Sequence, residues 1–155
     1  LLRQAQAAGW KLVIVSNQAG IARRLMTKAE VESFNAAMSE QLSAAGVILD
    51  GIYYCPHHPD PAKAFAPYLG ICDCRKPAPG MLLKAARDHG LDLSRSWMIG
   101  DRLSDLEAGE NAGCQSILLR TGYGEKAAAE LVHLPRQPVA VCDTLSQALQ
   151  IILGC

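Results

Sequence analysis

The chain has 155 residues, half of them hydrophobic and 19% charged, with Lys+Arg and Asp+Glu equal at 15 each. This composition excludes a disordered chain, and the neutral balance excludes a basic footprint for nucleic acid or an anionic membrane. No apolar run approaches the ~20 residues of a membrane span, and no basic segment leading into an apolar run marks a signal peptide.

The length suits one domain over residues 1–155. The opening "LLRQAQAAGW" reads as the last turns of an amphipathic helix ending at Gly9. It starts at Leu1 and not at methionine, so a missing upstream segment is expected. Residues 10–17, "WKLVIVSN", are an apolar β-branched run and predict a buried parallel strand. Residues 27–46 predict the clearest helix: Thr27 as N-cap, Glu30 three residues on, and Gly46 as stop. A strand is expected over 49–55, then a loop rich in Pro, Cys and His. Pro79 opens a helix stopped by Gly90. Residues 96–101 predict a short buried strand, and "LSDLEAGENAG" a helix capped by Ser104 and ended near Gly113. "CQSILLRTG" predicts a strand, and "VAVCDTLSQALQIIL" a final strand and helix. Strands alternating with helices imply an α/β fold with a doubly wound parallel sheet.

Such sheets bind ligands at the carboxyl ends of their strands. Three polar clusters fall there: Ser16-Asn17-Gln18, Arg75-Lys76, and Gly100-Asp101 with Asp105. A carboxylate ending a buried strand, Asp101, suits a hard cation such as Mg²⁺, which takes oxygen ligands and one or two carboxylates. Asp105, one helical turn on, can brace the same site. The competing reading makes Asp101 and Ser104 caps of the next helix. Ser16 offers a hydroxyl and a backbone N–H to a phosphoryl oxygen, although Ser, Asn and Gly are also ordinary turn residues. Arg23 and Arg24 can reach an anion or lie in solvent. Lys76, before Pro77, is a point charge on an extended chain that can neutralise charge on transferred oxygens. The alternative is a surface lysine.

Cys55-x-His57 and Cys72-x-Cys74 give four soft or borderline ligands, the number a closed tetrahedral zinc site takes. His58 is the alternative to His57. The α/β pattern favours a reducing cytoplasm, where clustered cysteines bind metal more often than they pair. Cys114, Cys142 and Cys155 have no partner at metal spacing and are expected as small buried hydrophobes.

Ser16, Lys76, and Asp101 with Asp105 resemble, in order and in element, the second, third and fourth motifs of the haloacid dehalogenase (HAD) phosphatase superfamily. "SNQAGIAR", "DGIYYCPHHP", "CDCRKPAPGMLL" and "GDRLSDLEA" are similar to its heptose-bisphosphate 7-phosphatase family, over nearly the whole chain. The resemblance implies a cytoplasmic, monomeric, Mg²⁺-dependent phosphatase acting on a small phosphorylated sugar in lipopolysaccharide-core synthesis. It implies an aspartyl-phosphate formed by one aspartate and a second aspartate as general acid and base. By the same resemblance Ser16 and Lys76 hold the phosphoryl group, Asp101 ligates Mg²⁺ and Asp105 supports it. Substrate contacts fall on Ser16, Asn17, Gln18, Ala19, Arg75, Lys76 and Arg102. Structural zinc falls on Cys55, His57, Cys72 and Cys74. Arg24 stands where the family usually has glycine, and Arg102 where lysine is common.

One part of the pattern is absent from residues 1–155. The superfamily's D-x-D-G-T nucleophile motif ends a central first strand, and none of Asp50, Asp60, Asp73, Asp88, Asp92, Asp101, Asp105 or Asp143 sits in such a motif. The expectation is a truncated enzyme lacking that strand, unstable and inactive by itself. The alternatives are a histidinol-phosphate phosphatase, which shares a similar Cys/His loop, and a non-catalytic zinc-stabilised binding module. Polynucleotide 3′-phosphatases share the N-Q-x-G-I stretch, but the neutral charge and the cysteine loop argue against them.

Overall fold

Strands and helices alternate along the chain in the computed structural model, which describes residues 1–154. In chain order they are α1 (Leu2–Ala7), β1 (Val13–Asn17), α2 (Lys28–Ala44), β2 (Gly51–Cys55), α3 (Gly80–His89), β3 (Trp97–Gly100), α4 (Leu103–Ala112), β4 (Gln115–Leu119), α5 (Gly124–Glu130), β5 (Ala140–Cys142) and α6 (Leu145–Leu153). Every strand pair is parallel, as the α/β pattern requires. Among the described residues the strands form two sheets rather than one: β1 with β2, and β3-β4-β5 with β4 in the middle.

The expected strands over 10–17 and 49–55 both begin late, and one side chain explains why. The Asp50 carboxylate accepts the Leu12 N–H at 2.8 Å, and the Asp50 N–H reaches the Leu12 carbonyl at 2.8 Å. Only beyond this clasp does the ladder start, pairing Val13 with Gly51 and ending with Asn17 beside Cys55. Burial opposes ionisation of Asp50, but hydrogen bonds from Lys11 and Leu12 and the Lys11 charge outweigh it, holding the carboxyl below its ordinary value. A depressed folded-state pKa gives stability that is present above the unfolded carboxylate value and lost as pH falls through the folded one. Asp50→Asn is therefore expected to cost about 1 kcal/mol or less at neutral pH, because the Lys11 partner is exposed. In urea titrations the gap to the parent should close below about pH 4.

The helices follow their local signals. Thr27 accepts from the Glu30 N–H while the Glu30 carboxylate accepts the Thr27 N–H, a complete capping box. Thr27→Ala should cost about 1 kcal/mol in the same titration. Pro79 precedes α3, and Gly90 ends it in the left-handed region. Ser104, expected to cap α4, does not: the N-cap is Arg102, and the capping carboxylate is that of Asp105, which accepts the Arg102 N–H at 3.1 Å. A carboxylate at the third helical position reaches back to the cap N–H, whereas Ser104 already lies inside the first turn. Helix α5 had no counterpart among the expected elements, although "EKAAAE" is rich in helix formers.

The core gathers around the three-stranded sheet. Leu82, Met98, Ala108 and Cys114 form one buried cluster, and Val15 of β1 packs against it. Leu106, Leu118, Ala127 and Leu134 form a second, and Ile117, Cys142 and Ala148 a third. Successive residues of the central strand β4, Ile117 and Leu118, are fully buried in different clusters because side chains alternate across a sheet. Cys114 and Cys142 are buried as expected, and Cys155 lies outside the described residues. Strand β1, expected to be buried, is half-buried along its whole length.

Candidate active site and metal centre

Lys76 organises the site. Its Nζ lies 2.7 Å from an Asp105 oxygen and donates to the Val15 carbonyl at 2.8 Å, with both charged side chains below 10% exposure. The surface-lysine alternative is thus excluded. The Lys76 backbone is equally fixed, because Asn17 Oδ1 accepts its N–H and Asn17 Nδ2 donates to its carbonyl, both at 3.0 Å. Asn17 is the last residue of β1, so the strand end and the loop end are locked face to face. Beside it the Gln18 side-chain amide donates to Ser16 Oγ at 3.2 Å, and the Gln18 N–H to the Cys55 carbonyl.

Asp105 uses both oxygens. One meets Lys76, and the other accepts the N–H groups of Asp101 and Arg102, each at 3.1 Å. It braces the β3–α4 turn and is not free to ligate a cation. The approach is so close that a Cβ on Gly100 would collide with the Asp105 carboxylate. Asp101 differs. Its Oδ2 accepts the Tyr123 N–H at 2.9 Å, while Oδ1 has no protein donor among the described residues. One half-buried carboxylate with a free oxygen at a strand end is a donor a hard cation accepts.

The loop between β2 and α3 brings its cysteines together. Cys74 Sγ lies 3.2 Å from that of Cys55, 3.3 Å from that of Cys72 and 3.5 Å from His57 Nδ1. Cys55 Sγ lies 3.5 Å from Cys72 Sγ and 3.7 Å from His57 Nδ1. Zn–S bonds of ~2.3 Å at tetrahedral angles would set sulfurs ~3.8 Å apart, so the four donors stand close to the edges a zinc tetrahedron needs. His58 is excluded from the cluster, since its Nδ1 accepts the Asp60 N–H. Burial raises the Cys55 thiol, and burial with the neighbouring thiols raises Cys74, so neither ionises readily without a cation. The cluster joins the site through Arg75, whose Nη1 donates to the His57 carbonyl at 3.0 Å.

Ser16, Asn17, Gln18, Lys76, Asp101 and Asp105 therefore meet at one end of the strands, with Arg75 bridging to the cluster. Ala19 lies in the turn after β1, where its carbonyl accepts the Arg23 N–H. Arg24 takes φ +55°, which suits the glycine usual in the resembled family, and stacks on Phe65 at 4.3 Å. The sequence reading passed over Tyr123 and Gly122, which press on Asp101. Their signal was the "RTGYG" turn, whose first three residues the expected strand includes although β4 ends at Leu119.

A family model described as HAD-hydrolase-like matches residues 73–148. A D-glycero-D-manno-heptose-1,7-bisphosphate 7-phosphatase of Thermosynechococcus vestitus is 39% identical over 151 residues, covering 96% of this chain and 77% of that protein. A D-glycero-β-D-manno-heptose-1,7-bisphosphate 7-phosphatase of Salmonella typhi is 42% identical, covering 83% of this chain and 68% of that protein. The crystal structure of the D,D-heptose 1,7-bisphosphate phosphatase of B. bronchiseptica, complexed with magnesium and phosphate, superposes with TM-score 0.83 at 35% identity. That match covers 99% of this chain and 80% of the other.

Proposed function

The chain belongs to the heptose-bisphosphate 7-phosphatase family of HAD-like hydrolases, and from that premise we propose that it serves a phosphatase removing the 7-phosphate of D-glycero-D-manno-heptose 1,7-bisphosphate. The observation that carries this reading is the convergence on Lys76: a buried ammonium, locked in main chain and side chain, beside a cation-ready aspartate.

In this reading Lys76 and the Ser16 hydroxyl hold the transferring phosphoryl group, and Asp105 keeps the ammonium aimed. Asp101 is the residue that would hold Mg²⁺, which when bound neutralises charge on the phosphoryl oxygens. Asn17, Gln18 and Ala19 form the turn over the phosphoryl end, Arg102 adds positive charge on the phosphate side, and Arg75 helps to recognise the sugar. The carboxylate that attacks phosphorus belongs, by the resemblance, to a D-x-D-G-T motif, and residues 1–155 contain none. These residues thus contribute the anion- and cation-holding part of the chemistry.

We assign structural zinc to Cys55, His57, Cys72 and Cys74. Four protein donors would close the coordination shell of a bound zinc and leave it no position for substrate. A thiolate site of this kind suits a reducing cytoplasm. No helix among the described residues is long and apolar enough to cross a membrane, and we read the protein as a monomer acting on a small sugar phosphate.

The test is phosphate release, with Mg²⁺, by the polypeptide expressed from the complete reading frame. Heptose 1,7-bisphosphate should be hydrolysed far faster than histidinol phosphate. Preference for histidinol phosphate, or no Mg²⁺-dependent release from either, would sink the reading.

A further inference from the structure

The turn between β4 and α5 plays no part in the chemistry described above, yet it presses on the cation end of the site. Gly122 takes φ +58°, and a Cβ there would collide with the Asp101 carboxylate. A Cβ on Gly124 would strike the Leu119 carbonyl. Glycine at both positions lets the main chain pass this close, so Tyr123 is delivered with its N–H on Asp101 Oδ2. The ring is delivered too. The Arg102 guanidinium carbon lies 3.6 Å from the centre of the Tyr123 ring, a stacked contact on a side chain that is 59% exposed. Stacking engages the face of the guanidinium and leaves its N–H edges open. Among the described residues those edges meet no protein acceptor.

An exposed arginine normally samples many rotamers, and ordering it on an anion costs binding strength. A guanidinium already laid flat on an aromatic ring avoids most of that loss. Arg102 directly follows Asp101, and Tyr123 touches both, so one residue fixes the carboxylate by its main chain and the cation by its ring. We propose that Tyr123 is a positioning residue that pre-orients the Arg102 N–H edge toward a substrate phosphate beside Asp101. Its effect is on affinity for the doubly phosphorylated sugar rather than on the chemical step. The proposal rests on the reading of this end of the site as phosphate-binding.

The experiment compares Tyr123→Phe, Tyr123→Ala, Arg102→Ala and the Tyr123→Ala/Arg102→Ala pair in the polypeptide from the complete reading frame. Tyr123→Ala should raise KM for heptose 1,7-bisphosphate about 3- to 30-fold with kcat within about twofold. Tyr123→Phe keeps the ring and should match the parent. With Arg102 already alanine, removing the ring should cost nothing more. A fall in kcat with KM unchanged, or the same loss in both backgrounds, overturns the proposal and makes Tyr123 a support of the fold.

Calorimetric titration with inorganic phosphate at saturating Mg²⁺ separates this failure from failure of the functional reading. If the parent hydrolyses no heptose bisphosphate, the functional reading falls. The positioning role then stands if Tyr123→Ala weakens phosphate binding several-fold while Tyr123→Phe does not, and falls if all three proteins bind phosphate equally or none binds it.

Discussion

Replacing Lys76 with methionine should damage stability and catalysis together, and the two losses should separate in a double variant. Methionine keeps the unbranched shape but leaves the Asp105 carboxylate, 6% exposed, without its cation. Breaking a buried pair from one side typically costs about 3–5 kcal/mol. Here the lower end is expected, because the Asp101 and Arg102 N–H groups still hold the second oxygen. In the Lys76→Met/Asp105→Asn variant the stranded charge is gone, and most of the stability should return in urea titrations. Turnover should not return. The ammonium proposed to hold the transferring phosphoryl group is absent from both variants, and loss of such a group lowers kcat by about 10²–10³-fold. If the double variant recovered activity with stability, Lys76 would be only a structural partner of Asp105.

The second large effect is expected at the cysteine cluster. Cys74→Ser should reduce bound zinc, measured by elemental analysis, because Cys74 makes the two shortest contacts in the donor set. The loss should reach the site by a short route. Cys74 precedes Arg75 and Lys76, and Arg75 is held by the carbonyl of His57, itself one of the four donors. A loosened cluster releases both ends of the Arg75 side chain's support. Turnover of heptose bisphosphate and its preference over histidinol phosphate should fall together, by about 10–100-fold. The donors must be deprotonated to bind, so zinc should also be lost more readily as pH falls. Zinc-free protein with unchanged turnover and selectivity would mean that the cluster is remote from function.

Much of this was legible in the chain alone, for reasons that are local. The Thr27–Glu30 capping box, Pro79 before α3 and glycine after α4 act within a few residues, so their signals survive without tertiary context. The four candidate metal donors stand out in the sequence because ligand chemistry restricts residue type and spacing so tightly, and the structure brings them together. Choosing His57 over His58 required either the family pattern or coordinates, since both lie in the same dipeptide. The sequence points to Ser104 as the cap of α4, and only the fold shows an Asp105 oxygen reaching back to the Arg102 N–H instead.

By itself the sequence determined the alternation of strand and helix, the cluster of soft ligands, and the placing of Ser16 and Asp101 at strand ends with Lys76 at the end of the cysteine loop. These follow from hydrophobic period, capping and donor type, which are properties of short stretches. The tertiary structure alone decided that Lys76 is buried against Asp105, that Asn17 clamps its main chain, that Asp101 keeps one oxygen free, and that Tyr123 stacks on Arg102. Each of those facts joins residues from different elements. Such a contact depends on side-chain rotamers and on ångström-scale approach between main chains, and no local pattern encodes either.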